Sequence, residues 1–311
     1  MEKYVFTGVD GNFGRKSAEI ALQLLDKAQL VFTAPTEKGL VEYQQQGITT
    51  KVTDFNNPDS LVKAFSGAKK VLLISMPFVG EKRRQAHKNV IDACLASGVE
   101  QIVYTSLVNA SDPTNPSIEK LDHAWTESYI ENTDLDYIFL RNSQYAEAMI
   151  SNYFAMVENG ILANNQADGK MAYISRQDCA IAAAYAMASK LKHSILNING
   201  PELLTISDFV QIGNEVSGHD VKYQVVSDEQ DYAIFDKMGV PRTTDGDFKK
   251  DSSAPFSSDG MVTFGKAIRE GKMETFSDDY YKLTGQKART VRTMFEDSAK
   301  YQIGARHSVD A

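Results

Sequence analysis

Three glycines at three-residue intervals, Gly8, Gly11 and Gly14, stand in "FTGVDGNFGRK" between a short apolar run and a helical pattern. In that setting the spacing is that of a phosphate-cradling turn. Glycines let the backbone bend and approach a pyrophosphate, whose charge lies at a helix N-terminus. The same turn carries Asp10, together with Asn12 and Phe13. A carboxylate facing a pyrophosphate weakens binding, so the side chain of Asp10 is expected to cap a backbone N–H and hold the turn. A second informative stretch is "VFTAPTEKG", at the end of the next strand pattern. An acidic residue there takes the ribose hydroxyl of NAD, and an Arg takes the 2′-phosphate of NADP. The deciding position holds Pro35, preceded by Ala34. Lys38 or Arg15 is placed to meet a 2′-phosphate and Glu37 to meet a ribose, so NADH and NADPH both stay open. A third candidate set is Tyr104, Thr105 and Ser106, which close "QIVYTS" where α/β sheets present active-site groups.

These residues need strands and helices to position them, and the first half of the chain alternates accordingly. Strand patterns run over 4–7, 30–33 and 49–52, then through "KKVLLIS", "QIVYTS" and "LDYIFLRN". Helical periods lie between them, over 15–25, 40–46, 60–65, 81–97 and 120–132. Strands alternating with helices at this spacing imply right-handed βαβ units and a parallel sheet. Continuous apolar strands such as "VLLIS" fit a sheet covered on both faces. An alanine-rich helix over 178–191 and the strand "SILNING" return to the same sheet. A helix over 205–216 opens at Thr205 or Ser207, and "DDYYKLTGQKARTVRTMFE" closes with one helix. The polar stretch from Thr243 to Ser258 reads as a flexible loop over the site. The expected architecture is α/β: a Rossmann-type doubly wound parallel sheet over 1–150, with 172–200 returning to it. A smaller C-terminal α/β substrate lobe takes 151–171 and 201–311.

Length and composition set outer bounds. A chain of 311 residues buries a large core and fits one bilobal unit or two domains. The formal net charge of −8 argues against a nucleic-acid partner, which relies on clustered Lys and Arg. Cys94 and Cys179 are not in a CxxC pair and read as buried free thiols of a reducing, cytoplasmic protein. "MEKYVF" runs straight into a strand pattern, so no leader is expected, and no apolar run has the ~20 residues of a membrane helix. No His/Cys/Asp cluster has metal-ligand spacing, so neither a metal nor a bound flavin is expected.

The segments "GVDGNFG", "QGITTKVTDFNNPDSL", "VLLISMPFVGEKRRQAHKNVIDA", "GVEQIVYTSL", "HAWTESYIENTDLDYIFLRNSQYAE" and "ADGKMAYISRQDCA" run in order over about the first 200 residues. Together they resemble the NmrA-like atypical short-chain dehydrogenases, and more narrowly the bacterial NAD(P)H:quinone oxidoreductases of type 2. The resemblance implies that residues 8–13 hold the pyrophosphate and that Asp54 and Phe55 flank the adenine. It also implies that Ser75, Met76 and Pro77 line the cofactor, and that 142–147, with Asn142, Tyr145 and Glu147, wrap the nicotinamide end. The family's usual Arg falls on Pro35 and its usual Thr on Asp10. The region over about 228–275 matches poorly.

Typical short-chain dehydrogenases protonate an alkoxide with a Tyr-x-x-x-Lys pair, and no Tyr in this chain has a Lys four residues later. Relatives place a Lys or His four residues before a Glu; here "HAWTE" has His123 and Glu127 one helical turn apart. Of the five histidines, only His123 has such a motif position. A quinone is reduced to a phenolate-like product whose pKa lies near that of Tyr, roughly 10, so water or a His protonates it without a strong donor. The catalytic candidates are therefore His123, Thr105, Ser106 and Tyr145. Lys170 and Arg176 are read as pocket wall or solvated face alike. Lys82, Arg83 and Arg84 are read as solvated helix surface, and Trp125 as core or pocket wall. The expected activity is NAD(P)H-dependent reduction of a quinone or similar small-molecule acceptor, with a homodimer left open. Two alternatives stand beside it: reduction of a specialised enone, imine or ketone, and a dinucleotide-sensing regulator without turnover.

Overall fold

The computed structural model describes residues 2–77, 79–243 and 256–303. Its first half reads β1 (Lys3–Phe6), α1 (Asn12–Leu24), β2 (Leu30–Ala34), α2 (Val41–Gln45), β3 (Thr49–Val52), α3 (Pro58–Phe65), β4 (Ala68–Leu73), α4 (Glu81–Ala96), β5 (Gln101–Leu107), α5 (Glu119–Glu131) and β6 (Asp136–Asn142). Then come α6 (Ala146–Ala155), β7 (Ile161–Asn164), α7 (Arg176–Ala188) and β8 (Ser194–Ile198). Seven strands form one parallel sheet in the order β3-β2-β1-β4-β5-β6-β8. The order reverses between β1 and β4, and the carboxyl ends there open a crevice suited to a ligand.

Period-two alternation sends side chains to both faces of this sheet. Phe6, Phe32 and Leu72 meet α1 and α7 on one side. Val5, Val71, Leu73, Ile102 and Tyr104 meet α3, α4 and α5 on the other. The small side chains of Ala180, Ala182, Ala183 and Ala184, all fully buried, let α7 lie close against α1. Ser17 Oγ donates to the Ala180 carbonyl at 3.0 Å across that contact.

The remaining elements are α8 (Ile206–Ser217), β9 (Lys222–Val225), α9 (Asp228–Lys237), α10 (Ser258–Arg269), α11 (Asp279–Thr284) and α12 (Val291–Glu296). Of these, α8, α10 and α12 build a second core with α6, in which Tyr153 and Phe209 pack on Phe295 with ring centroids 5.1 and 5.3 Å away, while α11 sets Tyr280 into the first core. A Cβ on Gly213 would come within 2.8 Å of the Tyr153 ring, so only glycine lets α8 close on it. Thr205 caps α8 and forms a capping box with Asp208.

Two features depart from expectation. The two-stranded parallel sheet of β7 and β9 has no counterpart in the sequence reading. Its strands are short and half-exposed, so they lack an apolar alternation. The single C-terminal helix is two, because Gly285 ends α11 in the left-handed conformation (φ 70°) and Thr290 caps α12 anew. Buried Asp178 anchors the link between them, accepting the Arg289 backbone N–H at 2.9 Å and the Tyr280 hydroxyl at 3.2 Å. Most of the polar stretch from Thr243 to Ser258 lies outside the described residues; its end, Ser257, caps α10.

Candidate active site

The glycine turn sits at the reversal point of the sheet. Gly8 takes φ 61°, a left-handed conformation that costs other residues energy. A Cβ on Gly14 would stand 2.0 Å from the Gly8 carbonyl oxygen, so α1 packs onto the turn only with glycine there. Gly11 is the N-cap of α1 and no side chain caps the helix. The first N–H groups of a 13-residue helix are thus presented at the crevice. Phe13 is buried in the core behind the turn, and Asn12 is exposed. Thr7 Oγ1 donates to the Leu72 carbonyl at 2.7 Å and ties the ends of β1 and β4 together.

Asp10 is 7% exposed and stands between the turn and the end of β2. Burial raises its carboxyl pKa, against the opposing pull of the N–H groups of Asp10 and Gly11 and of Arg15. Its Oδ2 has no hydrogen-bond partner. Pro35 is exposed beyond it. Farther along the sheet edge, Asp54 is exposed with Oδ1 on the Asn56 N–H at 2.8 Å, and the Phe55 carbonyl accepts from Asn89 Nδ2 at 2.8 Å.

The loop after β4 is held by polar groups from two neighbours. The Ser75 N–H donates to Thr105 Oγ1 at 2.8 Å, and the Met76 N–H donates to His87 Nε2 at 3.1 Å. That bond leaves the His87 proton on Nδ1, 2.9 Å from Thr126 Oγ1. Pro77 is exposed at the tip. Burial, then the charge of Arg83, holds the His87 pKa down to about 3. Half-buried His123 places Nδ1 2.8 Å from the Tyr104 hydroxyl. Burial, then Arg83, then His87 push the His123 pKa well below its ordinary value, so the ring is neutral.

His123 and Glu127 share a face of α5 but not a partner. Glu127, 3% exposed, accepts Ser106 Oγ at 2.6 Å and a forked pair of bonds from Arg141 at 2.9 and 2.6 Å. Glu147 accepts the Arg176 N–H at 2.9 Å and caps the start of α7 beside Ser175. Tyr145 precedes α6, its hydroxyl 3.4 Å from Asn142 Nδ2, and burial raises its pKa. Asn142 Oδ1, Gln144 Oε1 and Ser75 Oγ are buried without partners. Trp125 is half-buried and stacks on Tyr129 at 5.1 Å; Lys170 is exposed and Arg176 half-buried.

The basic run on α4 needs correction. Arg83 is 6% exposed, 3.8 Å from Asp122, and its Nε and Nη1 make no hydrogen bond. Arg84 Nε bonds Asp122 at 2.9 Å, and Asp122 Oδ2 also accepts the Gly80 N–H at 2.6 Å. Sequence reasoning overlooked Arg83, His87 and Asp122. The available signal was the spacing of Arg83, His87, Val90 and Cys94, which places all four on the inward stripe of α4.

A glycine turn at the reversal of a parallel sheet, with an uncapped helix start and unpartnered polar atoms around one crevice, defines a Rossmann-type NAD(P)H-dependent oxidoreductase. A family model described as NAD(P)H-binding matches residues 8–190, and the chain belongs to that family. It is 31% identical over 266 residues to quinone oxidoreductase 2 of Escherichia coli, a match covering 84% of this chain and 91% of the relative. The solved NADPH-dependent quinone oxidoreductase of Escherichia coli, complexed with NADPH, superposes with a TM-score of 0.86 at 27% identity, over 95% of this chain and 99% of that one. The triphenylmethane reductase of Citrobacter sp., complexed with NADP(H), does so with a TM-score of 0.81 at 28% identity, over 96% and 100%. Among the described residues no helix is long and apolar enough to cross a membrane.

Proposed function

We propose that this oxidoreductase reduces a quinone or a similarly electron-poor small molecule. The observation that carries the reading is the state of the polar groups at the end of β5. His123 is held neutral against Tyr104, and the chain has no Tyr-x-x-x-Lys pair to protonate an alkoxide. The relative in Escherichia coli that shares this fold is a quinone oxidoreductase.

The residues fit a dinucleotide. The turn 8–14 and the N–H groups of α1 take the pyrophosphate. Asp54 and Phe55 lie toward the adenine, and Ser75, Met76 and Pro77 line the middle of the crevice. Asn142 and Tyr145 stand at the nicotinamide end, where the unpartnered atoms of Asn142, Gln144 and Ser75 need polar company. When bound, the nicotinamide supplies hydride.

The protein's share is position and hydrogen bonding. With the Tyr104 hydroxyl donating to Nδ1, the His123 proton sits on Nε2, free to bond an acceptor oxygen. A neutral imidazole N–H hydrogen-bonds a developing oxyanion without giving up its proton, which is enough for a phenolate-like product that water protonates later, whereas an alkoxide needs a proton donor in the transition state. Thr105 and Ser106 act as positioning residues, since their hydroxyls already serve Ser75 and Glu127. Glu147 fixes the start of α7. The test is loss of nicotinamide absorbance with menadione, benzoquinone and a simple ketone. Turnover on the quinones alone supports the reading. Turnover on the ketone alone overturns it, and binding without oxidation by any acceptor favours the sensor instead.

A further inference from the structure

We infer that Asp10 makes this chain an NADH enzyme, taking the adenosine ribose through its unpartnered carboxylate oxygen. The inference rests on the dinucleotide reading above and goes beyond it to the choice of cofactor. Asp10 lies in the pyrophosphate turn, yet its side chain points to the end of β2. A Cβ placed on Gly39 would come 2.7 Å from Asp10 Cβ and 3.3 Å from Ala34 Cβ, so Asp10 packs on Gly39 and Ala34 at the end of β2. The turn is fixed there by the Val9 N–H on the Thr33 carbonyl at 3.0 Å and by the Tyr43 hydroxyl on the Val9 carbonyl at 3.3 Å. The carboxyl end of the second strand is where a bound dinucleotide lays its adenosine ribose.

The chemistry of Asp10 selects against a phosphate. Oδ2 of Asp10 is buried and has no donor. A buried carboxylate oxygen without a partner is costly, and a ribose hydroxyl supplies the missing donor. A 2′-phosphate brings acceptor oxygens and a charge of about −2 to the same spot. The cation whose charge reaches Asp10 is Arg15. Pro35 has neither a charge nor an N–H to offer. Arg15 is exposed on α1 and pairs with Glu42 at 3.5 Å, and Lys38 is exposed. The chain therefore reaches by a carboxylate in the glycine turn the selectivity that dinucleotide folds more often place at the end of the second strand.

The test is calorimetric titration of NADH and NADPH, with 5′-ADP and 2′,5′-ADP as fragments, into the wild type, Asp10→Asn and Asp10→Thr. Circular dichroism checks that each variant folds. The wild type should bind NADH about tenfold or more tightly than NADPH, and 5′-ADP should beat 2′,5′-ADP by a similar factor. Asp10→Asn, which keeps the shape and removes the charge, should bring each ratio to within about threefold. Equal affinities in the wild type, or ratios untouched by Asp10→Asn, would overturn the inference and leave the reductase reading standing. Failure of both cofactors to bind would overturn the two together.

Discussion

The Glu127 carboxylate tests whether the motif residue belongs to the chemistry or to the scaffold. It is nearly fully buried, takes two bonds from Arg141 and one from Ser106, and touches neither His123 nor the unpartnered atoms of the crevice. Glu127→Ala leaves the Arg141 guanidinium, itself mostly buried, without its counter-charge. Breaking a buried pair this way costs about 3–5 kcal/mol. At roughly 2 °C per kcal/mol for a chain of this size, Tm should fall by about 6–10 °C. Glu127→Leu with Arg141→Met removes both charges and should recover most of that loss, since apolar replacements of buried ion pairs are often neutral. Ser106 loses its acceptor, at about 1 kcal/mol. Calorimetric melts give the stabilities, and quinone turnover at 25 °C, well below the melt, should stay within about threefold of the wild type. A Tm unchanged in Glu127→Ala together with a collapse of kcat would refute the scaffold role and move Glu127 into the catalytic machinery.

Other perturbations read the site directly. Gly14→Ala forces a methyl into the Gly8 carbonyl, so dinucleotide affinity by calorimetry should drop by roughly 100-fold; a change under threefold means the turn can open to admit it. His123→Ala should lower kcat on menadione about tenfold with little change in KM, and His123→Gln, which keeps an N–H, should retain more. Unchanged kinetics in both would reduce His123 to pocket wall. His87 ties stability to pH. Its folded pKa, about 3, lies below the unfolded value near 6.5, so below that pH the unfolded chain takes up a proton the folded chain refuses. Its contribution is full above the unfolded value and is lost as pH falls. Denaturant unfolding at several pH values should show the slope between about pH 5 and 6 shallower in His87→Gln than in the wild type by about 1.4 kcal/mol per pH unit. Equal slopes would refute the assignment.

The large sheet was legible because its strands are continuous apolar runs, and the glycine turn because few other structures ask for that spacing after a strand. Both depend on local sequence. The second sheet was not legible, since β7 and β9 lie some sixty residues apart and gain their order only from each other. The C-terminal helix was read as one because its apolar positions continue in phase across Gly285, whose left-handed backbone outweighs them. Arg83 was misread for a related reason. Charge was taken for exposure, whereas the stripe formed with His87 and Val90 already pointed inward. A buried arginine is tolerable here because Asp122 lies opposite it, on an element 38 or more residues away.

The "HAWTE" spacing shows why a motif alone misassigns roles. A four-residue interval puts His123 and Glu127 on one face of α5, and a two-residue interval puts Tyr104 and Ser106 on one face of β5. The structure joins them crosswise into two separate links, His123 to Tyr104 and Glu127 to Ser106. Packing α5 onto β5 would be reason enough for both spacings. What separates the links is how fully each is spent. Glu127 accepts three bonds from two partners, two from Arg141 and one from the Ser106 hydroxyl. His123 uses Nδ1 on Tyr104 and keeps its second ring nitrogen. Asn142, Gln144 and Ser75 likewise keep buried atoms without partners at the ends of the strands. Buried polar groups are ordinarily satisfied, and these three are left over at strand ends where a dinucleotide would supply partners. We propose on that basis that the histidine is the catalytic part of the motif, while the glutamate holds α5 to Ser106 and Arg141.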